Sequence, residues 1–376
     1  MKIVHTGDIH LDTPFSVMNP ALSEQRRNDL RTSFSQLVSF AADNGVSLVL
    51  IAGDLYESAY ATQSTAYFLQ KEFAKAPDCR FVISPGNHDP YTKDSIYANT
   101  EFPDNVYIFT ENTLSKFSFD DIGVDVYGYA FTQKYSETSP IINQFPSDMG
   151  KINLLCAHAD ISSAISKYSP ITANEIASAS FDYCALAHIH AGSEPTKAGN
   201  SVYAYCGCLE GRDYGECGYK GALIVDIEKE DTVASVSVKA QRFSRKRYAC
   251  EHLSVDGAQD SDDIAKAISD CIVKNGYGDD THLRVILEGN INPKLTVSKS
   301  RIEALLRELY EFDLIDNTRP LFDAEKLKND PTIRGAFFNS MLELLVSENE
   351  EDKRIASDAL RYGLAAIDSE NIIDFE

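Results

Sequence analysis

The chain has 376 residues, 43% hydrophobic and 24% charged, enough to bury a full core and to divide into two or three domains. With 35 basic against 57 acidic residues its formal net charge is −22, which excludes a protein that coats nucleic acid by overall charge alone. No apolar run is long enough to span a bilayer, "MKIVHTGDIH" has no signal-peptide core, and eight irregularly spaced cysteines fit reduced thiols, so a cytoplasmic protein is expected.

Through the first two hundred or so residues short β-branched runs alternate with helical stretches. "KIVHT" reads as the first strand, and "LSEQRRNDLRTSFSQLVSFAADNG" sets Leu22, Leu30, Phe34, Leu37 and Val38 on one helical face ahead of a terminating Gly45. "SLVLIAG" and "RFVIS" are buried strands on either side of the helix "STAYFLQKEFAKA". From about Val106 strands follow one another: "VYIF", "VDVYGYAF", "INLLCAHAD", "YCALAHIH", "VYAYCG", "ALIVDIE" and "TVASVSVKAQRF". That number of strands fits two sheets packed face to face between helical layers. Near Ala249 a second unit begins, with helices in "DIAKAISDCIVKNG" and "SRIEALLRELYEF" and strands in "LRVILEGN" and "DLIDNTR". The last segment holds two amphipathic helices, "GAFFNSMLELLV" and "KRIASDALRYGLAAI", split by "SENEEDK", an acidic run that reads as a solvated linker.

The chemistry lies at the strand ends. Five stretches each follow a strand with metal-capable side chains: "GDIH" (Asp8, His10), "AGD" (Asp54), "GNHD" (Asn87, His88), "CAHAD" (His158) and "AHIH" (His188, His190). In a layered sheet protein, loops leaving the strand ends on one edge can meet in one cleft. Asp8-x-His10 and His188-x-His190 put two ligands on one side of an extended segment, because side chains alternate with period two. Imidazole with carboxylate and amide oxygen suits Mn, Fe or Zn. Seven ligands exceed one tetrahedral zinc and match two divalent metals sharing a bridging carboxylate, the arrangement that steadies both oxygens in phosphoester cleavage. Cys206, Cys208 and Cys217 lack the fourth thiol of a tetrahedral zinc set.

The order Asp-x-His, Gly-Asp, Gly-Asn-His-Asp, His, His-x-His resembles the calcineurin-like metallophosphoesterase superfamily. "HTGDIHLDTPF", "RRNDLRTSF", "VLIAGDLYES", "GRDYGECGYKGALIV" and "DALRYGLAAI" are similar to the bacterial SbcD-type DNA repair exonucleases, especially their YhaO-like branch. The resemblance implies a four-layer α/β/β/α sandwich over residues 1–248, a small α/β capping domain over 249–320 and C-terminal partner-binding helices over 321–376. It implies that Asp8, His10, Asp54 and His190 hold one metal, and that Asp54, Asn87, His158 and His188 hold the other, with manganese the expected ion. His88 then lies beside the cleft as transition-state stabiliser or general acid. Glu57 either orients His88 or is a surface residue at a helix start.

The activity implied is exonuclease and endonuclease cleavage of DNA phosphodiesters by a metal-activated hydroxide, in double-strand break repair. An SMC-like coiled-coil ATPase of the SbcC type is the implied partner, and a homodimer is compatible. Arg26, Arg27, Arg212, Arg242, Arg245, Lys246 and Arg247 are the basic residues placed as DNA contacts. Ala187 stands where the family often has glycine, and "GDLYESAY" lacks the arginine that protein phosphatases carry after this Gly-Asp. A small-substrate phosphoesterase and a non-catalytic DNA-end scaffold remain the alternatives.

Overall fold

The computed structural model describes all residues except 17, 164, 293, 294, 296, 306–308 and 368–376. The chain divides into two compact units, Met1–Arg247 and Tyr248–Glu376.

The first unit runs β1 (Lys2–Thr6), α1 (Pro20–Asp43), β2 (Leu48–Ile51), α2 (Gln63–Ala74), β3 (Arg80–Ile83), α3 (Ile96–Asn99), β4 (Val106–Ile108), β5 (Ser115–Phe119), β6 (Val124–Gly128), β7 (Ile152–His158), α4 (Ala173–Ala179), β8 (Tyr183–Ala187), β9 (Thr196–Ala198), β10 (Ser201–Tyr205), β11 (Gly221–Glu230) and β12 (Val233–Arg242). One sheet has the order β12-β11-β1-β2-β3-β4, parallel from β1 to β4, and the other β5-β6-β7-β8-β10-β9, parallel from β6 to β10. Short apolar runs such as "LVLI" can lie in such a sheet because both of their faces are covered. Ile3, Leu48, Leu50 and Val82 meet Val126, Leu154, Cys156 and Ala185 between the sheets. The alternate residues Val4, Val49, Ile51 and Phe81 pack under Phe34, Leu37, Leu69 and Phe73 of α1 and α2. Leu155, Cys184 and Leu186 turn to the far side and meet Ile176 of α4. The order of layers is therefore α/β/β/α, and it brings the C-terminal ends of β1, β2, β3, β7 and β8 to one edge.

α1 starts two residues before the first apolar position. The Asn19 side chain accepts from the Leu22 amide and Pro20 supplies the fixed φ of the first turn. At its other end Asn44 closes the helix and Gly45 takes φ +62°.

Arg26 is a correction to the DNA-contact reading. It is fully buried, donating to Asp29 Oδ2 at 2.7 Å, to Glu210 Oε1 at 3.5 Å and to the Gly211 carbonyl at 2.5 Å. Its position explains this, since residues 26, 30, 34, 37 and 41 form one stripe and Leu30, Phe34, Leu37 and Ala41 are the core face. A guanidinium inside that stripe reaches a carboxylate, not a phosphate backbone.

The second unit holds β13 (Arg247–Ser254) from its second residue on, α5 (Ser261–Asn275), β14 (Thr281–Glu288), β15 (Asn290–Ile291), α6 (Lys299–Leu305), β16 (Glu311–Asp316), β17 (Arg319–Pro320), α7 (Ala324–Lys328), α8 (Ile333–Leu345) and α9 (Glu350–Ile367). Its main sheet has the order β13-β14-β16, and Ile264 and Ile268 of α5 pack on Leu283, Val285 and Leu287. Residues 306–308 of the expected helix "SRIEALLRELYEF" lie outside the described residues. The closing segment of that stretch is strand, because Glu311–Asp316 pairs in parallel with β14. The acidic run is likewise only partly linker: Glu350, Glu351 and Asp352 form the first turn of α9, where negative charge complements the amide dipoles. α8 and α9 close on Phe338, Leu360 and Leu364.

Arg26→Ala would strand the Glu210 carboxylate in the core, and breaking a buried pair costs about 3–5 kcal/mol. Urea unfolding of the variant should show a midpoint well below that of the parent chain. An unchanged midpoint would contradict the network described here.

Candidate metal centre

None of the cluster sits on regular strand except His158, the last residue of β7. β1 ends at Thr6, and Asp8 and His10 follow with φ +46° and +50°; Asp54 has φ +51°, and His188, just past β8, has φ +102°. The expected alternation of an extended segment is therefore not what gathers these side chains. Left-handed residues turn the chain sharply so that nearby residues point into one cleft, each at a cost of about 1–3 kcal/mol that the surrounding structure must hold. The hold is visible: Asp8 donates its amide to the Gly53 carbonyl at 3.0 Å, and Ile9 and His10 both donate to the Asp54 carbonyl at 2.9 Å. Two glycines make the approach possible. A Cβ at Gly53, itself at φ +99°, would stand 2.6 Å from His158 Nδ1, and one at Gly7 would stand 2.5 Å from the Ala187 Cβ. Ala187 is thus accommodated opposite a glycine.

Part of each expected set comes together, and the carboxylate common to the two groups is Asp8 rather than Asp54. Ligand atoms of Asp8, His10 and His190 lie within 4.8 Å of one another, and so do those of Asp8, Asp54 and His158. His10 Nε2 is 3.3 Å from His190 Nε2 and 3.7 Å from Asp54 Oδ2. His158 Nε2 is 2.9 Å from Asn87 Oδ1 and 3.3 Å from Asp54 Oδ2. The His188 ring stands beside His158, centroids 5.1 Å apart, and packs on Tyr168 at 4.7 Å; it joins none of the close groups found among the described residues. Its backbone amide instead donates to both oxygens of Asp8, at 3.2 and 3.0 Å. No cysteine belongs to these groups among the described residues; Cys206 and Cys208 are buried and Cys217 is exposed.

These residues fit divalent cations, and the fit can be read from proton positions. Burial pushes the imidazoles down, His10 and His188 to about 4 and His158 to about 3, so near neutrality each carries one N–H. His158 Nδ1 is 3.0 Å from the Ala52 carbonyl, which can only accept, so the proton is there and Nε2 is bare. That bare nitrogen faces an amide oxygen and a carboxylate oxygen. Three acceptors pointed at one another are unfavourable unless a cation lies among them. Asp8, fully buried, is pushed above the ordinary carboxylate range by burial first, against the pull of His190, which again is a charge that a cation would stabilise.

Three carboxylates support the cluster from outside. Glu57 joins two histidines, accepting from His10 Nδ1 and from His88 Nδ1, both at 2.8 Å. Burial works against its charge, but those two bonds hold it below the usual glutamate range. Residues that sequence reasoning did not single out do the rest. Glu216 accepts from His190 Nδ1 at 2.7 Å and from Arg212 Nη2 at 2.8 Å. Asp89, quoted within the turn but given no role, takes the amides of Asp54, Leu55 and Gly86 at 3.0, 2.7 and 2.7 Å and the Tyr97 hydroxyl at 2.5 Å. The spacing of Asp89, directly after Asn87 and His88, was a usable signal, whereas Glu216 lies in a loop with no strand beside it.

His88 is the exposed histidine of the group. Its side chain is 44% accessible, and its backbone amide donates to Asp54 Oδ1 at 2.8 Å. The basic residues scatter. Arg212 lies in the cleft; Arg242 and Arg247 stack over Tyr219 at 3.5 and 4.7 Å; Arg27 is half-buried and donates to the Pro14 carbonyl at 3.3 Å; Arg245 is exposed and Lys246 half-buried.

A family model described as calcineurin-like phosphoesterase matches residues 1–192, the stretch that carries every candidate ligand. The chain belongs to this metallophosphoesterase family. The family is one of divalent-metal hydrolases. The chain is 24% identical over 324 residues to the uncharacterized metallophosphoesterase YhaO of Bacillus subtilis (strain 168), covering 83% of this chain and 78% of that one. It is 24% identical over 391 residues to the D component of the nuclease SbcCD of Staphylococcus epidermidis (strain ATCC 12228 / FDA PCI 1200), covering 94% and 96%. Among solved structures, one titled "GAP50 the anchor in the inner membrane complex of Plasmodium" aligns over 66% of this chain and 90% of that one at 10% identity, with a TM-score of 0.35. Among the described residues no helix is long and apolar enough to cross a membrane.

The Glu57 bridge gives a pH expectation. Its hydrogen bond to Nδ1 favours the charged imidazole and raises the His88 pKa above the ordinary value, against burial. Glu57→Gln removes the negative charge, so the His88 pKa should fall. Following the His88 ring by NMR across a pH titration of the metal-free chain should show deprotonation moving to lower pH in the variant. An unmoved midpoint would mean that Glu57 does not act on His88.

Proposed function

We propose that the chain is a two-metal DNA phosphodiesterase, with exonuclease and single-strand endonuclease activity in double-strand break repair. The observation that carries this reading is the pair of ligand groups sharing Asp8, with Asp54 between His10 and His158, and one exposed histidine, His88, at the lip. Asp8, His10, Asp54 and His190 would hold one cation and Asp54, Asn87, His158 and His188 the other. Two cations bound there would supply positive charge to the attacking and leaving oxygens of a phosphodiester and raise the acidity of a bound water. Manganese is the ion proposed, since imidazole-rich sites favour it over magnesium.

The protein's own part is positioning. Glu57 holds His10 and His88 by Nδ1, so that both Nε2 atoms are directed away from it. His88, reaching solvent, would give a proton to the leaving oxygen. Asp89 joins the turn that carries Asp54 to its own turn, which carries His88, and Glu216 fixes His190.

The DNA reading is supported by the alignment with the Staphylococcus epidermidis nuclease component, which extends through the second unit, not only the metal-bearing part. On this reading residues 1–248 are the nuclease, 249–320 a module that caps the cleft and selects DNA ends, and 321–376 helices that bind an SMC-like coiled-coil ATPase of the SbcC type. Arg27, Arg212, Arg242, Arg245, Lys246 and Arg247 remain the proposed DNA contacts, and the cytoplasm the proposed site of action.

The test is a substrate panel with the purified chain and added Mn²⁺: linear duplex, single-stranded circle, cyclic nucleotide and an aryl phosphate diester. Cleavage of the two DNAs is expected, and turnover of the cyclic nucleotide alone would replace the reading with a small-substrate phosphoesterase. In the same assay His88→Ala should keep two metals per chain and lose activity by about 10²- to 10⁴-fold, the span of one acid–base group. His188→Ala should instead bind less metal by elemental analysis. A His88→Ala chain that cuts at the normal rate would remove the role given to that histidine.

A further inference from the structure

The Gly-Asp stretch "GDLYESAY" brings no arginine to the cleft, yet a guanidinium is there. It comes from the loop between β10 and β11. Arg212 Nη2 lies 2.8 Å from His190 Nδ1 and 2.8 Å from Glu216 Oε1, and its Nη1 lies 3.8 Å from Glu57 Oε1. These contacts place the guanidinium beside His190 and Glu57, at the side of the cleft that holds His10.

The loop is built to hold it in place. On one side Cys208 donates its amide to the His190 carbonyl at 3.1 Å; on the other, the Gly211 carbonyl accepts from buried Arg26. The Arg212 amide itself donates to Glu216 Oε2 at 2.7 Å. Nε and Nη2 are committed to Glu216, whereas Nη1 makes no hydrogen bond among the described residues, and the side chain is 15% accessible. One edge of the fork is anchored and the other is presented. A planar guanidinium held in this way is the group that binds two phosphate oxygens, or one oxygen and a bridging atom, with fixed geometry.

We propose that Arg212 is a substrate-binding residue that grips a non-bridging oxygen of the phosphate undergoing cleavage. The proposal rests on the phosphoesterase reading above. It gives the chain, through another element, the positive side chain that the Gly-Asp stretch does not supply. It also separates Arg212 from Arg242 and Arg247, which stack on Tyr219.

The experiment is a titration of inorganic phosphate into the manganese-loaded chain by calorimetry, with turnover of an aryl phosphate diester beside it, for the parent, Arg212→Ala and Arg212→Lys. Removing a charge-assisted hydrogen bond should weaken phosphate binding of Arg212→Ala by about 10- to 100-fold. Arg212→Lys should recover part of that loss, and added guanidinium chloride at millimolar concentration should restore part of the Arg212→Ala turnover. Metal content should stay at the parent value. If Arg212→Ala binds phosphate as the parent does, or if it loses metal and guanidinium rescues nothing, Arg212 only props His190 and the proposal falls. If the parent chain neither binds phosphate nor cleaves the diester, the phosphoesterase reading falls with it.

Discussion

Asp8, Asp54 and Asp89 are buried close together, and carboxylates taken out of water in one place must be compensated there. The protein treats them unequally. Asp89 receives three backbone amides and a tyrosine hydroxyl, bonds that pull against the burial and the neighbouring Asp54 that push its pKa up to about 7. Among the described residues Asp54 receives one amide, from His88, and Asp8 that of His188; beside them stand His10 and His158, which burial keeps neutral, and His190, whose pKa Glu216 and Asp8 raise against burial. Asp89 is therefore a structural carboxylate that shapes the turn, and Asp8 and Asp54 are left with capacity for cations. Bound metal and correct fold are coupled here, since each cation that enters relieves a burial penalty the polypeptide leaves uncompensated.

The same inequality explains the backbone. Asp8, His10, Asp54 and His188 all adopt left-handed φ, a conformation unfavourable for residues with a Cβ. Such strain persists only where neighbours fix it, and the neighbours are parallel strands with both faces covered, ending within a few residues of the turn. Asp89 ties the left-handed Asp54 turn to the turn after β3 by accepting from the amides of Asp54 and Gly86. A softer scaffold would let the turns relax and the cluster would disperse.

The layered fold and the gathering of Asp8, His10, Asp54, His158 and His190 were legible in the sequence because both depend on short-range pattern: apolar runs that stop, followed by Asp or His. What was not legible depends on the third dimension. The ligands converge through left-handed turns rather than through strand alternation, and φ is not written in residue type when the residue is Asp or His. Arg26 looked like a surface cation until its place in the Leu30–Phe34–Leu37 stripe was joined to Glu210, which lies far along the chain. Glu216 and Arg212 sit in a loop without periodicity, so nothing local marks them as partners of His190. The beginning of α9 shows the reverse error: the acidic run is solvated, but part of it is helix and not linker, because its value lies in the helix dipole and not in a hydrophobic pattern.

For a chain with net charge −22 to hold a phosphodiester, positive charge has to be local and fixed. The buried Glu210 carboxylate supplies the fixing. It accepts from Arg26 and from Ser33 of α1, and from the amides of Arg245 and Lys246 after β12, so α1, the basic strip and the loop that carries Arg212 and Glu216 meet on one residue. Those bonds offset the burial penalty that pushes its pKa upward. A displacement of Glu210 would move Gly211, and with it the guanidinium one residue on and the carboxylate that steadies His190. The cleft's positive edge is in this way set by an ion pair in the core, at a distance from any ligand, and core packing in the first unit becomes a determinant of site geometry.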